Sequence, residues 1–247
     1  MRKFRHDIEA RSVAQYARLF ESRGVLRPSD PQWYRGEGRS RQRRALLPSI
    51  ARKPPRVGEE WAIYQRFRQS AAAFLPHANL APWDWMLYMR HYGEYTRLLD
   101  WSESALVALY FAVEDIHAER FDGVVWCLDP LRLNDLAGHG RRIHCAGLDT
   151  ELDYYTIESV HASTDAVAYA PVALIAQRSF PRLIAQQGVF TVTHRQQVAL
   201  DEIGEPELLA RVRIPSAAKA EVRASLKALG MTRLSLFPEL QSLAARD

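Results

Sequence analysis

The chain of 247 residues is 47% hydrophobic, 10% aromatic and 25% charged, which excludes the compositions of disordered and fibrous proteins and suits one ample domain. Its net charge of +4 conceals a polarity, because residues 1–56 carry 15 basic and 5 acidic side chains whereas residues 57–247 carry 18 and 24. No apolar run approaches the roughly 20 residues of a membrane helix, and the start MRKFRHDIEARS lacks the apolar core of a signal peptide, so a cytoplasmic protein is expected.

Residues 7–23 place Ile8, Ala14, Ala17 and Leu19 at helical spacing, with Asp7 able to cap the start and Gly24 where a C′ glycine belongs. An aromatic strand is predicted at 32–35, inside QWYRGEG. An arginine-rich stretch follows, and between Trp33 and Arg56 eight basic residues meet one acid. Residues 58–75 read as a helix stopped by Pro76, and PWDWMLYMRHYG as a second helix that opens on a proline and closes on Gly93. TRLLDW reads as an irregular connection. Ser102 is then the expected cap of ESALVALYFAVEDIHAE, whose apolar positions wrap most of the way round, as in a central buried helix.

The second half changes period. Residues 123–129, 167–176, 188–194 and 208–215 are β-branched or aromatic runs bounded by turn residues or charges, and are predicted strands. Cys127 falls inside GVVWCL and is expected as a buried small hydrophobe. Ser216 begins a last amphipathic helix ended by Gly230. Helices first and strands later argue for an α+β fold, a single domain over 1–247 with residues 1–30 as a helical extension.

The usual phosphate-loop, dinucleotide, zinc-protease and hydrolase fingerprints are absent. Two cysteines make neither a disulfide framework nor a four-ligand metal set, and His139, His144 and Cys145, in a Gly/Arg-rich loop, read as surface residues; no metal is expected. Of the 33 basic residues 29 are arginine, which favours bidentate contacts to phosphate or carboxylate.

Three segments stand out. In Tyr34-Arg35-Gly36 the arginine can clamp a phosphate or carboxylate beside glycines that let a ligand approach the backbone, or it can pair with a nearby acid at a turn. From His91 to Ser102, polar and aromatic groups crowd a loop between two apolar helices, as binding loops do. There Arg97 and Asp100 can equally form a buried ion pair, with Trp101 as a core anchor. In Gln186-Gln187-Gly188 two amides lead into a strand, Gln186 and Gly188 on one face, suited to a ligand hydroxyl or to a sheet edge.

WYRGEG with LLPSIAR, HYGEYTRLLDWSESALVALYFA, RLIAQQGVFT and LGMTRLSLFPEL, in that order over residues 33–240, resemble the FRG domain, named for its [F/Y]-R-G tripeptide. The chain departs from that pattern with Arg90 where Gln is common and Glu94-Tyr95 where a small apolar pair is common. The resemblance implies an ADP-ribosyltransferase-like fold, N-terminal helices packed on a split antiparallel β-sheet, with NAD as substrate. It implies Arg35, His91 and Gln186 as catalytic residues, and Tyr34, Arg35, Gly36, His91, Tyr92, Thr96, Arg97 and Gln187 as NAD-binding residues. It also implies deployment as a toxin or antiviral-defence effector, with an antitoxin as a partner.

In such a site Arg35 would meet the pyrophosphate, Tyr92 the nicotinamide and Gln186 the ribose hydroxyls. An amide cannot take a proton, so a carboxylate must come from elsewhere, with Asp100 or Glu103 as candidates. Arg39, Arg41, Arg43, Arg44 and Arg52, near Trp33, Tyr34 and Trp61, have the composition of an RNA or DNA contact surface, or of a solvated basic face. The competing expectation is a non-catalytic nucleic-acid or nucleotide-binding module.

Overall fold

GVVWCL is apolar at every position because both of its faces are covered. Val124, Trp126 and Leu128 enter one core cluster while Val125 and Cys127 enter another on the opposite side of the strand. The computed structural model describes residues 7–21, 31–40, 45–52, 55–75, 79–164, 167 and 169–239. Its first half contains β1 (Asp7–Glu9), α1 (Val13–Arg18), β2 (Trp33–Glu37), α2 (Glu60–Ala71), α3 (Pro82–His91), β3 (Leu98–Ser102) and α4 (Ala105–Val113). Then come β4 (Gly123–Leu128), α5 (Pro130–Leu136), β5 (His144–Cys145), α6 (Ile157–Ala162), β6 (Val172–Ile175), α7 (Pro181–Ala185), β7 (Gly188–Val192), β8 (Leu209–Ile214), α8 (Lys219–Ala228) and α9 (Arg233–Leu236). Among the described residues no helix is long and apolar enough to cross a membrane.

The strands form one sheet in the order β1-β8-β4-β2-β3-β7-β6-β5, antiparallel except at its edges, where β1 runs parallel to β8 and β5 parallel to β6. β2 follows β4 in register from Trp33↔Leu128 to Glu37↔Val124, and β3 follows β7 from Leu98↔Val192 to Ser102↔Gly188. Between β2 and β3 the register holds one pair, Tyr34↔Ser102. The sheet is therefore two four-stranded halves joined at a narrow seam. Helices α1, α4 and α8 pack on the β2-β4-β8 half around Tyr16, Leu109, Val212 and Leu226. Helices α2 and α3 pack on the other half around Tyr64, Trp83, Met86 and Phe190.

Several local expectations are corrected. Asp7 starts no helix: Asp7 and Glu9 lie on β1, where Arg211 and Arg213 of β8 pair with them, and α1 begins after Ser12, whose hydroxyl accepts the Gln15 N–H at 3.1 Å. Cross-strand ion pairs outweigh the helical spacing. TRLLDW holds a strand, with Leu98 turned to one core cluster and Leu99 and Trp101 to another. Ser104, not Ser102, caps α4, while Ser102 closes β3 and donates to the Gln186 carbonyl at 2.7 Å. Of the 167–176 run, only Val172–Ile175 is strand, and α5 and α6 arise where no element was predicted. Gly24 and Pro76 lie outside the described residues.

His194, just beyond β7, is buried among Tyr154, Tyr155 and Tyr169, and that burial, with Arg97 nearby, pushes its pKa down to about 4. The unfolded chain binds this proton near the ordinary histidine value and the folded chain does not, so stability is full above that value and falls with pH toward 4. The loss expected from His194 between pH 7 and 5 is about 2 kcal/mol. Urea unfolding at both pH values, compared with His194→Asn, measures it; an unchanged pH dependence in the variant would assign the acid sensitivity elsewhere.

Candidate functional site

Where β2 and β3 part, a half-open cavity of about 260 Å³ penetrates between the two halves of the sheet. Strand β2 contributes Tyr34 and Arg35, β3 contributes Asp100 and Ser102, and the last turn of α3 contributes Arg90 and His91. Helix α4 adds Phe111, and the segment around α7 adds Phe180, Arg182 and Gln186. Gly36 also lines the cavity, but helix packing determines its identity: a Cβ there would lie 1.8 Å from the Ala108 carbonyl oxygen and 2.7 Å from the Ala112 nitrogen. The missing side chain lets α4 lie directly on β2 and carry Phe111 to the cavity.

Three arginines surround this space and each is held differently. Arg35 bridges the seam, donating from Nη1 to the Asp100 carbonyl at 2.8 Å and from Nε to Glu37 at 3.2 Å. Arg90 is matched to the Asp100 carboxylate, its Nε lying 2.9 and 2.8 Å from the two oxygens and its Nη2 also paired. Desolvation opposes ionisation of Asp100, but Arg90, with Arg35 and Arg182 further off, holds its pKa below the usual carboxylate value. Arg182 is the third. Among the described residues no carboxylate lies within ion-pair distance of it; its guanidinium rests on the Phe237 ring at 4.6 Å, and burial lowers its pKa. The lining thus holds three guanidinium groups and one carboxylate, and with Arg90 paired to Asp100 and Arg35 to Glu37 behind it, Arg182 is the cation best placed to meet an anion.

His91 stacks on Phe180 with ring centres 4.2 Å apart and planes 9° from parallel. Burial lowers its pKa, which favours the neutral imidazole at neutral pH. The segment after α9 passes close by: Gln186 donates its amide to the Leu236 carbonyl at 3.0 Å, Phe237 meets Phe111 at 5.9 Å, and Glu239 brings a carboxylate oxygen to 3.9 Å from His91 Nε2. That Glu239 oxygen, Oε1, is buried and has no hydrogen-bond partner.

Of the residues singled out in the sequence, the structure thus gathers Tyr34, Arg35, Gly36, His91, Asp100 and Gln186 around one cavity. Others lie elsewhere. Tyr92 is 66% exposed and leans on Phe67 and Tyr88, and the aromatic residues that line the cavity are Tyr34, Trp101, Phe111, Phe180 and Phe190. Thr96 is buried and its backbone is tied to Ser49. Arg97 is buried against Glu60, with Nε 2.8 Å from the carboxylate, and does not pair with Asp100. Gln187 is an exposed turn residue at φ 46°, and Gln186 ends α7 rather than opening a strand. Glu103 pairs with Arg178 and does not line the cavity.

In the basic segment, Arg52 donates to the Leu47 and Ala45 carbonyls at 3.0 and 3.2 Å and lies 3.5 Å from the Glu37 carboxylate of β2 that also meets Arg35. Arg39 is exposed, with its guanidinium over Phe121 at 4.7 Å. Arg41, Arg43 and Arg44 lie outside the described residues. Arg182, Phe180 and Glu239 escaped sequence reading. For Glu239 the signal was its place in the LGMTRLSLFPEL motif; for Arg90 it was the departure from the usual glutamine.

No curated protein and no solved structure matches the chain. The family model of the FRG domain matches residues 30–120, a stretch that contains β2, α2, α3, β3 and α4. Those elements carry Arg35, Arg90, His91 and Asp100 to the cavity, so the stretch that matches the FRG domain builds much of the candidate site.

Proposed function

We propose that the cavity binds NAD and that the protein transfers ADP-ribose from it to a macromolecular acceptor, on a split sheet of the ADP-ribosyltransferase kind. The observation that carries this reading is the set of three arginines around one aromatic-lined cavity at the seam, with Arg182 unmatched by any described carboxylate. At about 260 Å³ the space is smaller than the roughly 300–1,000 Å³ of drug-sized sites, so it suits one mononucleotide half of NAD rather than the whole.

In the proposed reaction the bond between ribose C1′ and the nicotinamide nitrogen breaks and its electron pair leaves with nicotinamide. The ribose passes through an oxocarbenium-like state before the acceptor's nucleophile bonds to C1′ and loses its proton. Arg182 and Arg35 supply cations for the diphosphate, and Phe111 or Phe180 an apolar face for nicotinamide. The neutral His91 hydrogen-bonds a ribose hydroxyl. Gln186 cannot take the acceptor's proton. In this reading the proton goes to Glu239, whose buried Oε1 lacks a hydrogen-bond partner 3.9 Å from His91 Nε2.

Nicotinamide release on incubation with NAD, with RNA or with cell lysate, tests the reading, and NAD neither bound nor consumed under these conditions would defeat it. NAD binding without release would support the non-catalytic module, which the amide at Gln186 favours. As a toxin or defence effector the protein would arrest growth on induction while cellular NAD falls.

A further inference from the structure

At the far edge of the sheet, β5 pairs with β6 through His144↔Leu174 and Cys145↔Ile175. The loop around it, which the sequence alone reads as surface, folds tightly through Gly138, Gly140 and Gly147, all at positive φ between 68° and 87°. His144 is 2% exposed. Its Nε2 is buried with no hydrogen-bond partner, and its Nδ1 lies 3.7 Å from Glu151 and 3.9 Å from Asp149, too far for hydrogen bonds. A buried polar atom without a partner is costly, and so needs a reason. His139 packs edge-on against His144 with ring centres 5.3 Å apart, and its Nε2 is 2.9 Å from the Tyr154 hydroxyl.

One ligand atom from each of His139, His144 and Glu151 falls in a cluster whose members all lie within 4.8 Å of one another. We propose that His139, His144 and Glu151 form a binding site for a divalent transition-metal ion of zinc's class, independent of the cavity at the seam. Two imidazoles and one carboxylate are the donor set zinc takes with a fourth position left for water; an all-oxygen set would suit magnesium or calcium, and thiolates copper(I). Tyr154 serves as the outer partner that orients a metal-bound histidine through its other nitrogen. Arg142 pairs with Glu151 through Oε2, and among the described residues Oε1 makes no hydrogen bond.

The test uses the full chain, stripped with a chelator and titrated with zinc. One ion should bind per chain by calorimetry and elemental analysis, with a rise in Tm, and cobalt(II) in its place should give the visible spectrum of a four-coordinate ion. His139→Ala and Glu151→Gln, whose side chains reach solvent, should each weaken zinc binding at least about tenfold, and Tyr154→Phe by about 10–100-fold if it orients His139. The two ligand variants keep the proposal testable should His144→Ala fail to fold. No stoichiometric zinc binding, or binding unchanged in both His139→Ala and Glu151→Gln, overturns the site.

Discussion

An Arg97→Ala variant should lose about 3–5 kcal/mol of folding free energy, because it leaves a buried carboxylate without its cation. Arg97 is 1% exposed and donates from Nε to both oxygens of Glu60, at 2.8 and 2.9 Å. It also donates from Nη1 to the Thr193 carbonyl at 2.8 Å and from Nη2 to the Tyr155 carbonyl at 2.7 Å. One side chain therefore ties the first turn of α2 to the chain on either side of α6 and β7, and truncation strands three acceptors at once. Urea unfolding gives the magnitude. Arg97→Met combined with Glu60→Leu should recover the part of the loss owed to the unpaired Glu60 carboxylate, while the part owed to the Thr193 and Tyr155 carbonyls, which lose their donor in both variants, should remain. A loss below about 1 kcal/mol accompanied by loss of NAD binding would return Arg97 to the ligand site, where the sequence reading had placed it.

The segment from His91 to Ser102 shows why Arg97 lies away from the cavity. Part of its crowd of polar groups does meet at one cavity, which His91, Asp100 and Ser102 line. Yet the crowd serves two purposes. Arg90 and His91 end α3 on the cavity side, Tyr92 falls one residue further and turns outward, and the backbone then enters β3 with Thr96 and Arg97 inside the protein. A stretch as short as LLDWS, flanked by helices, offers too few alternations to distinguish a strand from a connection, and so the sidedness of each residue was hidden.

The longer elements were legible: GVVWCL, GVFTV and LARVRI form strands close to their expected bounds, as PWDWMLYMRH forms a helix behind its proline. Cavity residues that depend on contacts distant in the chain were not. Phe180 and Glu239 acquire their meaning from His91, about 90 and 150 positions away, through a ring stack and a carboxylate approach that no local pattern encodes. Gly36 was noticed for the right atom and the wrong neighbour, since it is the backbone of α4 that occupies the space of the missing Cβ.

Within the cavity the second large effect is expected at Arg182. Removing it should weaken binding of ADP-ribose by about 1.5–3 kcal/mol, roughly 10–150-fold, with little loss of stability. The contrast with its neighbours sets the expectation. Arg90 is held by Asp100 and Arg35 is engaged with the Asp100 carbonyl and Glu37, so either substitution also leaves an intramolecular partner unmatched. Arg182 rests on Phe237 and, among the described residues, forms no ion pair, in a place whose burial disfavours its charge. An anion arriving there meets a guanidinium with its donors uncommitted to any described carboxylate, and the fold gives up no ion pair when the side chain is cut back. Calorimetry with ADP-ribose and thermal unfolding of Arg182→Ala separate the two quantities. Arg35→Ala should lower both, because the seam loses its bridge between β2 and β3 along with a cation. Binding unchanged in Arg182→Ala would show that the anion is held elsewhere, and would remove the arginine set as the support for NAD in this cavity.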